Sequence, residues 1–156
     1  MKALFVCTGN SCRSVMAEFL FNRLAARAGL EGWGAASCGI AAQNTFLIPG
    51  GVKKALAKRG ILEVEHTPQL VSRRLAGEAD AVYAMAAGHE EVLKELYPEH
   101  SKKVFLFREA AGMGREDVQD PIGRPDETYE ECCSIIEEGV RRLIQNHAKP
   151  AAGPRS

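Results

Sequence analysis

Val6-Cys7-Thr8-Gly9-Asn10-Ser11-Cys12-Arg13-Ser14 decides how this chain is read. It follows the apolar run Ala3 to Val6, which has the length and composition of a buried strand. It precedes Met16, Phe19, Leu20 and Leu24, which recur at helical spacing up to Gly29, a helix C-cap. A loop between a first strand and a first helix is where an open α/β sheet holds an anion. Its consecutive N–H groups can form a concave nest, and the helix N-terminus adds partial positive charge. Gly9 permits a tight bend, and Asn10 tolerates left-handed backbone. Arg13 offers a planar fork for two phosphate oxygens. Cys7 then lies at the base of the cradle, where the helix terminus and the guanidinium both favour its thiolate, a nucleophile that needs no adjacent base. Ser14, in the first helical turn, can donate a hydrogen bond to the sulfur. The loop lacks the Gly-Lys-Ser/Thr ending of a Walker A motif.

Outward from the loop, three more apolar runs read as strands: about Trp33 to Ser37, Ala81 to Met85, and Val104 to Phe107. Between them lie helical patterns around Val52 and Leu56 (ending at Lys58-Arg59-Gly60), over Val71 to Ala79, and over His89 to Leu96, stopped before Pro98. A last helix places Tyr129, Cys132, Ile136, Val140, Leu143 and His147 on one face. It carries Asp126 and Glu127 early and Arg141 and Arg142 late, as the helix dipole prefers. Strands alternating with helices predict one α/β domain over residues 1–147, a parallel sheet covered on both faces. Residues 148–156 read as a disordered tail with little to bury. Trp33 reads as a packing residue.

Composition narrows the function. The 156 residues suit one domain. Twenty basic and twenty acidic residues balance, so no global field draws in nucleic acid or an anionic membrane. The opening apolar run is too short for a signal peptide, and no stretch approaches the roughly 18–20 apolar residues of a membrane span. The expected location is cytoplasmic. Five cysteines (Cys7, Cys12, Cys38, Cys132, Cys133) are then expected as reduced thiols. Cys132 and Cys133 are adjacent on a helix and point about 100° apart, so they cannot both bind one metal. No metal or cofactor is expected.

Cys7 to Ser14 resembles the C-x5-R-S signature of the low-molecular-weight protein tyrosine phosphatases, including a second cysteine, Cys12, just before the arginine. Met16-Ala17-Glu18 is also similar to that family, and the likeness runs to about residue 147. It implies a four-stranded parallel sheet flanked by helices, a Rossmann-like arrangement. The activity implied is hydrolysis of phosphorylated protein substrates through a phosphocysteine formed on Cys7, with Arg13 holding the phosphate. The loop residues Thr8, Gly9, Asn10, Ser11, Cys12 and Ser14 would bind or frame that phosphate. The family carries a general acid in an Asp-Pro near the chain end, which matches Asp120-Pro121. Asp-Pro alone is a turn signal. Family members also brace the loop asparagine with two serines and a histidine, which implies Ser14, Ser37 and His66 around Asn10; a strand-end serine and an ordinary loop histidine are the plainer readings of the last two. Cys12 resembles a partner cysteine that forms a reversible disulfide with the oxidised nucleophile, and simple packing serves equally well.

Within the family, tyrosine phosphatases carry a bulky aliphatic residue where this chain has Ser11, and aromatics after Asp-Pro where it has Ile122-Gly123. The protein arginine phosphatase branch, with Cys-Thr-Gly-Asn-Thr-Cys-Arg-Ser, is the closer resemblance, because a hydroxyl can face a guanidinium. Phosphoarginine and phosphotyrosine both stay open. Arsenate reductases share the loop, but those with an internal disulfide relay need two more cysteines after the third strand, where this chain has Met85-Ala86-Ala87-Gly88-His89. A phosphocarrier subunit of sugar transport also presents a cysteine after its first strand, yet Arg13 and Asp120 would hasten loss of its phosphoryl group.

Overall fold

The computed structural model describes residues 1–148. Four strands form one parallel sheet: β1 (Lys2–Cys7), β2 (Gly34–Gly39), β3 (Ala81–Ala84) and β4 (Val104–Leu106), in the order β2-β1-β3-β4. The helices are α1 (Arg13–Arg27), α2 (Gly50–Ala57), α3 (Arg73–Glu78), α4 (Ala87–Leu96), α5 (Phe107–Ala110) and α6 (Asp126–Ala148), with a 3₁₀ turn over Pro98–Lys103. The expected domain end at residue 147 falls one residue short of the end of α6. Of the expected tail, 149–156 lie outside the described residues.

Alternation along β1 divides the core. Ala3, Phe5 and Cys7 pack with Met16, Leu20 and Phe21 of α1, Val52 and Leu56 of α2, and Ile136, Val140 and Leu143 of α6. Leu4 and Val6 point the other way, onto Ala76 of α3, Leu93 of α4 and Tyr97. Both faces are covered, which is why the strands read as continuous apolar runs. The Phe5 ring touches Tyr83, Phe21 and Phe107 at centroid distances of 5.5, 5.9 and 6.0 Å. Trp33 stacks on Phe21 at 6.2 Å, the packing role expected of it. Cys132 and Cys133 are both buried in the first of these clusters, and Cys38 in the second.

Helix ends follow local chemistry. After α1, Gly29 adopts φ +69°, and the Leu30 N–H reaches the Ala25 carbonyl, closing the helix as expected. The third helix is shorter than the Val71–Ala79 pattern. Ser72 caps it by accepting from the Leu75 N–H at 3.1 Å, and the Val71 N–H instead donates to the Gly39 carbonyl at 2.9 Å, beside a bridge between Gly39 and Leu70. The second strand extends past Ser37, pairing Cys38 with Val6 and Gly39 with Cys7.

That extension sets the loop above it. A Cβ added to Gly39 would press into the Thr8 carbonyl oxygen and lie 2.9 Å from the Asn10 nitrogen. Only a residue without a side chain lets the Cys7–Arg13 loop lie against the end of β2. Gly39→Ala is expected to cost about 2–3 kcal/mol of stability, read from the urea midpoint, and to weaken phosphate binding; a native midpoint would mean that the loop does not rest on this residue.

Candidate active site

Cys7 ends β1, and the chain turns through residues 8–12 into α1, whose N-terminus has no capping side chain. The first amides of that helix are therefore free of intramolecular side-chain acceptors at the point where an anion gains most. The Cys7 sulfur lies 2.9 Å from Ser14 Oγ. Asn10 Nδ2 donates to the same Oγ at 2.9 Å, so the hydroxyl hydrogen is left to donate to the sulfur.

Asn10 has φ +55°, is fully buried, and uses its whole hydrogen-bonding capacity. Its Nδ2 also donates to Ser37 Oγ at 2.8 Å, and its Oδ1 accepts from His66 Nε2 at 2.8 Å and from the Gln69 N–H at 3.0 Å. Ser37 Oγ in turn donates to Glu18 Oε1 at 2.7 Å. Burial lowers the His66 pKa and raises that of Glu18. A neutral His66 must carry its proton on Nε2 to serve Asn10. The brace of Ser14, Ser37 and His66 implied by the family resemblance is present around Asn10. Asn10→Ala is expected to destabilise the fold by about 3 kcal/mol, because it orphans several buried groups and leaves an alanine at positive φ. Chemical denaturation would measure this; an unchanged midpoint would show the brace to be dispensable.

Arg13 lies almost wholly buried beside the cleft. Its Nη1 donates to the Val118 carbonyl at 3.0 Å, while Nη2 lies 3.5 Å from Thr8 Oγ1 and 3.6 Å from Asp120 Oδ2. Asp120 arrives on a loop tied to the sheet: the Val118 N–H donates to the Met85 carbonyl at 2.8 Å, and Asp117 Oδ1 accepts from the Ala87 N–H at 2.8 Å. Asp120 Oδ1 accepts from the Ile122 N–H at 3.1 Å across Pro121. The Asp120 side chain remains 45% exposed, so it can exchange protons with solvent. A cleft of about 390 Å³ is lined by Cys7, Thr8, Gly9, Ser11, Cys12, Arg13 and Asp120, with Phe46, Leu47 and Ile122 at its mouth. A sulfur, a guanidinium and a carboxyl thus converge on one cleft. This arrangement can hold a tetrahedral oxyanion and pass a proton to or from it.

A profile of the low molecular weight phosphotyrosine protein phosphatases matches residues 2–152. The chain belongs to that family. A protein-arginine-phosphatase of Bacillus subtilis is 33% identical to this phosphatase over 153 residues, covering 96% of this chain and 98% of that one. The low molecular weight protein-tyrosine-phosphatase YfkJ of Bacillus subtilis is 32% identical over 155 residues, covering 96% and 97%. Among solved structures, a cysteine-to-serine variant of the YwlE arginine phosphatase, with a phosphorylated active-site serine, superposes with a TM-score of 0.90. It is 32% identical and covers 96% of this chain and 97% of that one.

The phosphatase gathers all the residues expected at the site, but in two layers. Cys7, Thr8, Gly9, Ser11, Cys12, Arg13 and Asp120 line the cleft, whereas Asn10 and Ser14, expected as phosphate-binding residues, stand behind it with Ser37 and His66. Burial pushes the Cys12 thiol up to about 11, so at neutral pH it is protonated. Sequence reading missed Glu18, Gln69 and His89, the last of which touches Thr8 at 2.8 Å. It also passed over Phe46 and Leu47. The signal for those two was present as a Phe46-Leu47-Ile48 run directly after the polar Gln43-Asn44-Thr45. Among the described residues, no group of three His, Cys, Asp or Glu side chains could hold a metal, and no helix is long and apolar enough to cross a membrane.

Proposed function

We propose that this phosphatase removes phosphoryl groups from arginine side chains of proteins through a phosphocysteine on Cys7. The carrying observation is the convergence of Cys7, Arg13 and Asp120 on one cleft floored by the loop of residues 8–12. Sγ of Cys7 attacks phosphorus in line, forming the S–P bond as the P–N bond breaks. Arg13 and the loop amides hold the equatorial oxygens where charge gathers. Ser14 donates to the sulfur as it leaves in the second step. Asp120 gives its proton to the departing guanidine nitrogen, then takes one from the water that hydrolyses the S–P bond. The YwlE variant with a phosphorylated active-site serine supports a phosphoryl group landing at the equivalent of Cys7.

Arginine is favoured by Ser11, a small hydroxyl residue lining the cleft, and by likeness to a protein-arginine-phosphatase. A second reading, phosphotyrosine, is supported by Phe46, whose ring closes over Gly9 at the mouth and offers a face for a phenyl group, and by likeness to YfkJ. Matched phosphoarginine and phosphotyrosine peptides separate them. The native chain is expected to favour phosphoarginine in kcat/KM. Ser11→Ile is expected to lower that preference at least about tenfold, because it removes a hydroxyl partner from the substrate side chain. A native preference for phosphotyrosine, unmoved by Ser11→Ile, would assign the substrate to the second reading.

A further inference from the structure

Beside the cleft lies a buried polar side chain, His89, that the proposed mechanism leaves idle. It sits in the first turn of α4 and is 5% exposed. Its Nδ1 accepts from the Ala86 N–H at 3.1 Å. That contact puts the ring proton on Nε2, which lies 2.8 Å from Thr8 Oγ1 and must therefore donate to it. Burial, then the nearby Arg13 charge, lowers the His89 pKa to about 4, while Asp117 and Asp120 act in the opposite sense. At neutral pH the ring is uncharged and keeps this single tautomer.

The consequence falls on Thr8. Its oxygen accepts from His89 on one side and, at 3.5 Å, faces Arg13 Nη2 on the other, the same nitrogen that lies 3.6 Å from Asp120. With both lone pairs engaged, the hydroxyl hydrogen has a single direction left, and Thr8 lines the cleft. We infer that His89 is a positioning residue: by donating to Thr8 it turns that hydroxyl into a fixed hydrogen-bond donor to a bound phosphoryl oxygen and steadies the outer nitrogen of Arg13. A hydroxyl without this partner could rotate to accept from the phosphate's surroundings as readily as donate. The inference rests on the phosphatase reading of the cleft.

Two substitutions divide the ring's functions. Asparagine keeps an acceptor for the Ala86 N–H but is too short to reach Thr8; glutamine carries an amide nitrogen to the position of Nε2. On a simple aryl phosphate, His89→Asn is expected to lower kcat/KM about tenfold, the worth of one well-placed hydrogen bond, with the thermal midpoint nearly native. His89→Gln is expected to recover most of the loss. Thr8→Val is expected to lose a similar factor, and adding His89→Asn to it should cost little more, since both changes remove one linked pair. Native kcat/KM in His89→Asn overturns the inference, as do losses that multiply in the double variant. Should His89→Asn fail to fold, Thr8→Val decides alone: a native rate there overturns the inference and a loss of about tenfold upholds it. If the native chain releases no phosphate from the aryl ester, the phosphatase reading itself fails; an active native chain indifferent to these changes removes only the role of His89.

Discussion

Cys7→Ser is expected to lower steady-state phosphate release by at least about 10⁴-fold while leaving binding of inorganic phosphate within a few-fold of native. The argument is one of nucleophile chemistry in a fixed surrounding. A serine hydroxyl needs an adjacent base, and none is placed to serve position 7. The partner of its sulfur is Ser14 Oγ, a donor. His66 is committed to Asn10, and His89 to Thr8. The rest of the cradle does not depend on sulfur. Arg13 is anchored by Val118, and Asn10 by four partners, so the oxyanion hollow should persist. Isothermal titration with phosphate and a continuous phosphate-release assay would read the two halves separately. Retained turnover would show that the sulfur is not the attacking atom. Lost turnover together with lost phosphate binding would instead report a collapsed loop.

Much of this site was legible because its chemistry is local. Cys7, Arg13 and the bend between them belong to one strand–loop–helix unit, and a nine-residue stretch carries the geometry. Asp120 was legible only through family likeness, because nothing in an Asp-Pro pair says that its loop will be tied to β3 by the Val118–Met85 hydrogen bond. Glu18, Gln69 and His89 were not legible at all: each acts through a contact made only when separate elements pack, and each is an ordinary polar residue in its own segment. The sheet was readable because a parallel sheet covered on both faces imposes continuous apolar strands. Its ends were less so. Cys38 and Gly39 extend β2 because they pair with Val6 and Cys7, a constraint from the neighbouring strand that local pattern does not carry. The turn over Pro98–Lys103 was read only as a helix stop, since proline at a first helical position ends one helix and opens another equally well.

Asp120→Ala should divide substrates by leaving group. Guanidine and phenol are both poor leaving groups, a phenolate having a conjugate-acid pKa of about 10 and a guanidine anion being far more basic, so each needs a proton as its bond to phosphorus breaks. Losing the donor is expected to slow cysteine phosphorylation by about 10²–10³-fold on such substrates. An aryl phosphate whose phenol is strongly acidic departs unaided and should lose less than about tenfold in the same step. The second step complicates steady-state rates, because Asp120 is also the group placed to activate water. The comparison is therefore made in the pre-steady-state burst, where one equivalent of phenol reports S–P bond formation alone. With the activated ester, the variant should show a nearly native burst followed by slow turnover, the mark of a phosphocysteine that waits for hydrolysis. Phosphate affinity supplies the control. Removing a carboxylate 3.6 Å from the Arg13 guanidinium leaves that cation without its anionic partner, so phosphate should bind as tightly as before or more tightly. A loss of equal size on every ester, good leaving group or poor, would mean that Asp120 orients Arg13 and transfers no proton.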